Sequence, residues 1–402
     1  SNALNPNLKN YLLWWQGWWL PASYKENADL TGPLPVPNDE RANRDAVKDY
    51  YGIPFYGAPY GRLTEMGTAN PWFEQFGDEW VPSTSKFAPD TTQPLFKQIA
   101  TVSQAAPSLR DFYVWGYNRL FNEGNVRAIY YDVSRSISDT NIYHGAGTVM
   151  PDGSIEPTRN ILGTRETFKR IYTLLKAKHP DGNVFYHMSG DVVLPLFSFC
   201  DGLVDGENYA GMLDRKTNRG YENVLTLDQF RTEYSTQNNL GPATVLLPQF
   251  DRSGAILKDE WKELGYGHAQ YLLGLVLLHD SSIWWSYFPY EVLADAYGAL
   301  DKAGWNSSWT FVPYWHQPDL KLPNDVKISS YISPDKSKTI LIVFNNSDND
   351  QNIDLPLSSS AIGVKNASSA GALYPEETIT VENKTIRNMQ IKGKNFRAVL
   401  VH

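Results

Sequence analysis

Acids stand where three short apolar runs give out. Asp132 closes VRAIYYD, Asp205 and Glu207 close GLVDGENY, and the run after Ala243 closes on Gln249 and Asp251. Carboxyl groups so placed can cleave a glycosidic bond, one giving a proton to the leaving oxygen while the other acts as nucleophile or base, if they lie roughly 5–9 Å apart. Asp205 and Glu207 are two residues apart, so an extended chain would turn both to one face with Cα atoms roughly 7 Å apart. An Asp after a strand is also an ordinary helix cap, and Asp-Gly an ordinary turn. What favours chemistry is coincidence: the acids fall among Tyr130, Tyr131, His187, Tyr209, Trp284 and Trp285. Aromatic rings with polar edges suit sugar stacking as well as core packing. His187, in VFYHMSG, can donate to a sugar hydroxyl or orient an acid, with a satisfied core histidine as the competing reading. His144 sits in ISDTNIYHGAGTVMPDGS, a long loop that suits a segment folded over the site.

The elements that must position these residues are legible as alternation. Up to about residue 320, β-rich runs at 11–15, 53–56, 126–132, 184–188, 202–207, 243–248 and 283–286 alternate with helical stretches, the pattern of βα units around a parallel sheet. An eighth strand is expected at Trp80–Thr84 or upstream of the first residue. With it at Trp80–Thr84, Asp132 ends strand four and Glu207 strand six. Residues 163–177 carry Phe168, Ile171, Tyr172, Leu174 and Leu175 at helical spacing, and a second helix is expected over 108–122 with Ser108 as its cap. The count points to a TIM-type (β/α)8 barrel over residues 4–322, whose chemistry sits at the C-terminal ends of the strands. From 323 to 402, apolar and polar residues alternate between Asn, Asp and Ser turns, as in a small antiparallel β-sandwich.

The stretch YLLWWQGWWL, residues 11–20, belongs to the same frame. If 11–16 is the first barrel strand, Trp15 is core, while Trp14, Trp18 and Trp19 reach the rim as candidate sugar platforms. Burial of all four is the competing reading, because large aromatics are mostly buried.

Composition excludes several classes. A net charge of −8 with no basic cluster argues against a nucleic-acid partner. The longest apolar run is YLLGLVLL at 271–278. A spanning helix needs about 20 residues, far more than this run offers. With Cys200 as the only cysteine, neither a disulfide nor a cysteine zinc site is expected. Dinucleotide, nucleotide-phosphate and His-Glu-x-x-His zinc motifs are missing, so no cofactor and no metal is expected. Ser1-Asn2-Ala3 reads as the remnant of a cleaved tag, so a signal peptide would have been removed with it. The oligomeric state has no signature here.

The runs VRAIYYDVSRS, HGAGTVMPDGSIEPTRNILGTRETFKRIYTLL and VFYHMSGDVVLPLFSFCDGLVDGENY resemble the barrels of bacterial glycoside-hydrolase-like proteins related to glycoside hydrolase family 123. The resemblance spans about residues 9–320, is most specific over 126–211, and extends to an accessory β-sandwich. It implies hydrolysis of a glycan, a periplasmic or extracellular site of action, and in the family proper a substrate-assisted mechanism using an adjacent Asp-Glu pair at a strand end. This chain has Asp205-Gly206-Glu207 there instead. A two-carboxylate mechanism therefore pairs Glu207, as acid, with Asp132 or Asp205. Asp251, Trp284, Trp285, Tyr131, Tyr209, His144 and His187 are the expected sugar contacts beside the tryptophans. A non-catalytic carbohydrate-binding protein on the same scaffold is the alternative.

Overall fold

The structure is a computed structural model. It describes residues 12–15, 56–68, 70–83, 92, 99–123, 127–188, 193–214, 217–235, 242–250, 259–284, 287–306, 308–317, 320–359, 362–364 and 367–402. The chain divides into two compact units, one over residues 10–204 and one that includes 205–402.

In the first unit, strands β1 (Leu12–Trp15), β2 (Tyr56–Gly61), β5 (Ala128–Tyr131), β10 (Asn183–His187) and β11 (Gly202–Asp205) lie side by side in that order. All are parallel, with Leu12 opposite Tyr56, Tyr60 opposite Tyr130, Asn183 opposite Ala128 and Phe185 opposite Gly202. Between them run β3 (Glu65–Gly67) and β4 (Ile99–Thr101), an antiparallel pair, with helices α1 (Pro71–Trp80) and α2 (Pro107–Glu123). Two small antiparallel pairs, β6 (Ser138–Asp139) with β9 (Thr158–Arg159) and β7 (Thr148–Val149) with β8 (Ile155–Glu156), form an arm after β5. Helix α3 (Ile161–Lys178) and the short α4 (Leu194–Phe197) complete the unit.

Because side chains alternate along a strand, each strand divides its residues between two faces. Ile129, Tyr131, Val184, Tyr186 and Leu203 pack with Tyr113, Tyr117, Phe168, Ile171 and Leu175 of the helices. Tyr130, Phe185 and His187 take the other face. The expected strand at Trp80–Thr84 is instead the end of α1 followed by bends, with Thr84 outside the described residues. Asn70 caps this helix by accepting from the Trp72 N–H at 3.0 Å, and Pro71 fits its first position. Side chains one helical turn apart are neighbours. Trp72 and Phe76 accordingly stack at 6.2 Å, and Phe76 and Trp80 at 5.6 Å. Ser108 lies inside α2 rather than capping it; its hydroxyl accepts from Trp80 Nε1 and donates to Glu79.

In the second unit, α5 (Leu227–Tyr234) opens on a capping box, Thr226 with Gln229. Strands β12 (Ala243–Leu246) and β13 (Ser282–Ile283) are parallel, followed respectively by α6 (Asp259–Leu278) and α7 (Tyr290–Lys302). The antiparallel part comprises β14 (Thr310–Val312), β15 (Val326–Ile332), β16 (Thr339–Asn345), β17 (Gln351–Pro356), β18 (Ala370–Tyr374), β19 (Thr380–Glu382), β20 (Thr385–Ile391) and β21 (Asn395–Val401). They form two sheets, β14-β15-β16-β21-β18 and β17-β20-β19, with Leu341, Val343, Ile353, Ile386 and Val399 between them. The outer face of the larger sheet, through Ile340, Ile342 and Phe344, packs on Tyr271, Leu272 and Leu275 of α6. Gly274 lets this helix come close, since a Cβ there would meet the Phe344 ring at 2.8 Å. The apolar run 271–278 is thus a buried helix, and among the described residues no helix is long and apolar enough to cross a membrane.

Candidate active site

Asp132 follows β5 directly, on the face opposite the helices, with its backbone N–H donating to Gly61 at 2.8 Å. Its Oδ1 accepts from His187 Nδ1 at 2.7 Å. Its Oδ2 accepts from Arg62 Nε at 2.9 Å and Nη2 at 2.8 Å. Arg62 Nη1 donates in turn to both oxygens of Glu65 at 3.0 Å. The Tyr130 ring lies 6.2 Å from the His187 ring. The Asp132 side chain is 11% exposed and that of Arg62 27%, so the cluster is shielded yet reachable.

A carboxylate that accepts from a guanidinium and an imidazole is stabilised as the anion. With Nδ1 of His187 donating to Asp132, the carboxylate fixes the orientation of the ring. Sequence reasoning named Asp132 and His187 separately. It missed Arg62 and Glu65, whose partners are remote in sequence or carried on a turn with no periodic signal.

Two expected platforms are core instead. Tyr131 falls on the helix side of its strand, against Tyr117, Phe168 and Tyr186 at 5.7, 5.3 and 5.4 Å. Tyr209 is buried against Tyr221, and its hydroxyl donates to Glu233 at 2.9 Å. Burial pushes the Tyr209 phenol up, and the Glu233 carboxylate adds to it.

His144 is also structural. Its side chain is fully buried, Nδ1 lies 2.6 Å from the Glu79 carbonyl, and Nε2 lies 2.9 Å from Asp139 Oδ2. Both partners only accept, so both nitrogens must donate and the ring is an imidazolium. Burial opposes that charge, but the bonds to Asp139 and to the Glu79 carbonyl outweigh it and hold the His144 pKa above its ordinary value. Burial likewise opposes the Asp139 charge, and bonds from His144, Ser103 and Asn141 hold that carboxyl below its ordinary value.

In the second unit, Asp205 and Glu207 do not share one extended face. Asp205 continues the side of Leu203, whose neighbours are helical, and its field reaches Tyr209 and Tyr234. Its Oδ1 accepts from the Gly206 N–H at 2.8 Å and its carbonyl accepts from Leu247 at 2.7 Å. Gly206 then turns the chain at φ 135°, and Glu207 opens a 3-10 turn, half-buried. Only glycine serves at 206, because a Cβ would collide with the Leu247 carbonyl oxygen. Trp284 is half-buried after β13, its N–H donating to Leu246. Trp18, Trp19, Asp251, Trp285 and the side chain of Trp14 lie outside the described residues. Among the described residues no group of three or more His, Cys, Asp or Glu is disposed to hold a metal ion.

No protein-family model matches the chain, and no curated protein sequence does. Solved structures do. The chain is similar to an alpha-amylase from Geobacillus thermoleovorans complexed with acarbose, with a TM-score of 0.54 at 9% identity over 89% of this chain and 80% of that one. A noncanonic maltogenic alpha-amylase, AmyB from Thermotoga neapolitana, gives 0.53 at 11% identity over 90% and 81%. An alpha-glucosyl transfer enzyme, XgtA, gives 0.54 at 9% identity over 92% and 87%. This likeness is one of fold. The chain is an α/β protein of the TIM-barrel type followed by an antiparallel β domain.

Proposed function

We propose that the protein is a glycoside hydrolase in which Asp132 acts as the catalytic anion. The observation that carries this reading is the Asp132 carboxylate, held through both oxygens by Arg62 and His187 just past the C-terminal end of a parallel strand. In barrels of this type that end is where chemistry sits. An anion fixed in a shielded place opposes the positive charge that develops on a sugar ring as its glycosidic bond breaks, or attacks the anomeric carbon directly. The departing oxygen takes its proton from a general acid. Amylases and a glucosyl transfer enzyme among the structures of similar fold support a carbohydrate substrate, and so does the resemblance of residues 126–211 to glycoside-hydrolase-like proteins. Asp205 has no catalytic part in this reading, because its strand face is the helical one. Action outside the cytoplasm is part of the same proposal.

The deciding experiment is turnover of 4-nitrophenyl glycosides, including galactosides and N-acetylgalactosaminides of both anomers, by the wild type beside Asp132→Asn. An enzyme loses turnover by about a hundredfold or more while it keeps binding, the usual size when a group that stabilises transition-state charge is removed. A carbohydrate-binding protein releases no nitrophenol in either form and holds the sugar in both. Equal turnover by the two forms would remove Asp132 from the mechanism.

A further inference from the structure

Arg62 is the first residue past β2, and it stands at the centre of a chain of four side chains. Toward one side, its Nε and Nη2 both reach Asp132 Oδ2, and His187 takes the other Asp132 oxygen. Toward the other, its Nη1 is clasped by both oxygens of Glu65. The turn that carries the pair is fixed from several directions. Gln104 Nε2 donates to the Leu63 carbonyl, the Val102 N–H donates to Thr64 at 2.9 Å, and the buried Tyr113 hydroxyl donates to Glu65 at 3.3 Å. Glu65 itself sits in β3, opposite Thr101 of β4.

An exposed ion pair on flexible side chains contributes little. This one differs in two respects: side-chain exposures of 27% and 26% for Arg62 and Glu65 are partial, and the backbone beneath them is tied to the core. A planar guanidinium held along one edge cannot rotate about its last bonds, so its remaining edge points one way. That edge faces Asp132.

We infer that Arg62 and Glu65 are positioning residues of the active site. Glu65 sets the plane of the guanidinium, the guanidinium fixes Asp132 by one oxygen and keeps it an anion, and His187 fixes it by the other. What the anion does rests on the glycosidase reading above; how it is held does not. A carboxylate restrained at both oxygens needs no reorganisation when charge develops in front of it, which is the condition for electrostatic stabilisation of a transition state. The same arrangement makes Asp132 a poor proton donor, so its part is that of the anion. Lysine at position 62 would keep the charge but offer one nitrogen where two now converge on Asp132.

The test compares Arg62→Lys, Arg62→Gln and Glu65→Gln with the wild type in two measurements. The first is kcat and KM across pH on whichever 4-nitrophenyl glycoside the wild type cleaves. The second, with no substrate present, is the imidazole N–H resonance of His187 in nitrogen-15 spectra, assigned with His187→Gln. Arg62→Lys should lower kcat about tenfold with KM little changed, the size expected when a catalytic group is misplaced rather than removed. Arg62→Gln should lose more, and its acid limb should move to higher pH, because a carboxylate without a cation beside it takes a proton more readily. Glu65→Gln should shift both in the same sense as Arg62→Lys, by less. The His187 resonance should move in all three. If kcat and the acid limb stay at wild-type values in Arg62→Gln, the inference is overturned even though glycosidase activity stands. Should the wild type cleave no glycoside, the glycosidase reading fails and the His187 resonance decides the positioning alone: movement supports it, and a fixed resonance in variants with wild-type unfolding midpoints overturns it.

Discussion

Which face of a strand a residue occupies decides more here than which residue it is. Asp132 and Tyr131 are neighbours in sequence, yet one takes part in the candidate site and the other is wedged among Tyr117, Phe168 and Tyr186. Asp205 likewise falls on the helical side, while Glu207 escapes that face only because Gly206 breaks the extended run at φ 135°. A Cβ at position 206 would also collide with the Leu247 carbonyl. Gly206→Ala is therefore expected to destabilise the protein by about 2 kcal/mol, the scale of backbone strain at a position reserved for glycine, and thermal unfolding measures it. The sequence made Asp132 and His187 visible because each ends an apolar run. Their union with each other, and with Arg62, was not visible, since no local pattern links residues 55 and 70 apart.

At the scale of elements, alternation was the legible signal. All seven runs read as strands carry parallel strands of the fold, the second from Tyr56 onward, because short apolar segments between polar turns have few other ways to bury themselves. The eighth, at Trp80–Thr84, failed for a local reason: Trp72, Phe76 and Trp80 are spaced for a helix, and Asn70-Pro71 is a helix start. The arm after β5 was legible as a long loop but not as a brace. Asn141 Nδ2 donates to the carbonyls of Asp78 at 3.0 Å and Val81 at 2.8 Å, and His144 reaches that of Glu79. The arm thus satisfies the open C-terminal end of α1, whose last carbonyls have no partner within the helix. Asn141→Ala should cost about 2 kcal/mol, the scale for stranding buried carbonyls, and should speed amide exchange across both α1 and residues 138–159. The charge on His144 adds a pH dependence. A histidine whose folded pKa is raised contributes fully below its ordinary value of 6.5 and loses that contribution as pH climbs through the raised one. Exchange in the arm, corrected for intrinsic rate, should therefore quicken as pH climbs above 6.5 and should not do so in acid until Asp139 protonates, below the ordinary Asp value of 3.8.

At the scale of the whole molecule, the two compact units respond to pH in opposite senses. In the second unit, His279 is fully buried against Phe230, Tyr314 and Trp315, with Nδ1 donating to the Leu275 carbonyl. Burial first, and then the nearby Arg231 cation, push its pKa down to about 4. Between that value and the ordinary one the unfolded chain binds a proton that the folded one refuses, so stability falls as pH drops through this window, by about 3 kcal/mol in all. Unfolding of the second unit, followed by denaturant at pH 7 and pH 4.5, should show most of that loss, and His279→Phe should flatten it. The first unit, tied by the His144–Asp139 pair, should meanwhile hold through the same acid range.

The outer ribbon of the arm has a different kind of consequence. Residues 148–159 are exposed almost throughout, and Tyr143 beside them is 75% exposed, while Ser138 and Arg159 at the root are already paired across a ladder. Whatever is inserted between those paired ends need not disturb β5 or α3. The ribbon is a cassette: a stretch that can be lengthened, trimmed or recoded while the Ser138–Arg159 pairing at its root stays as it is.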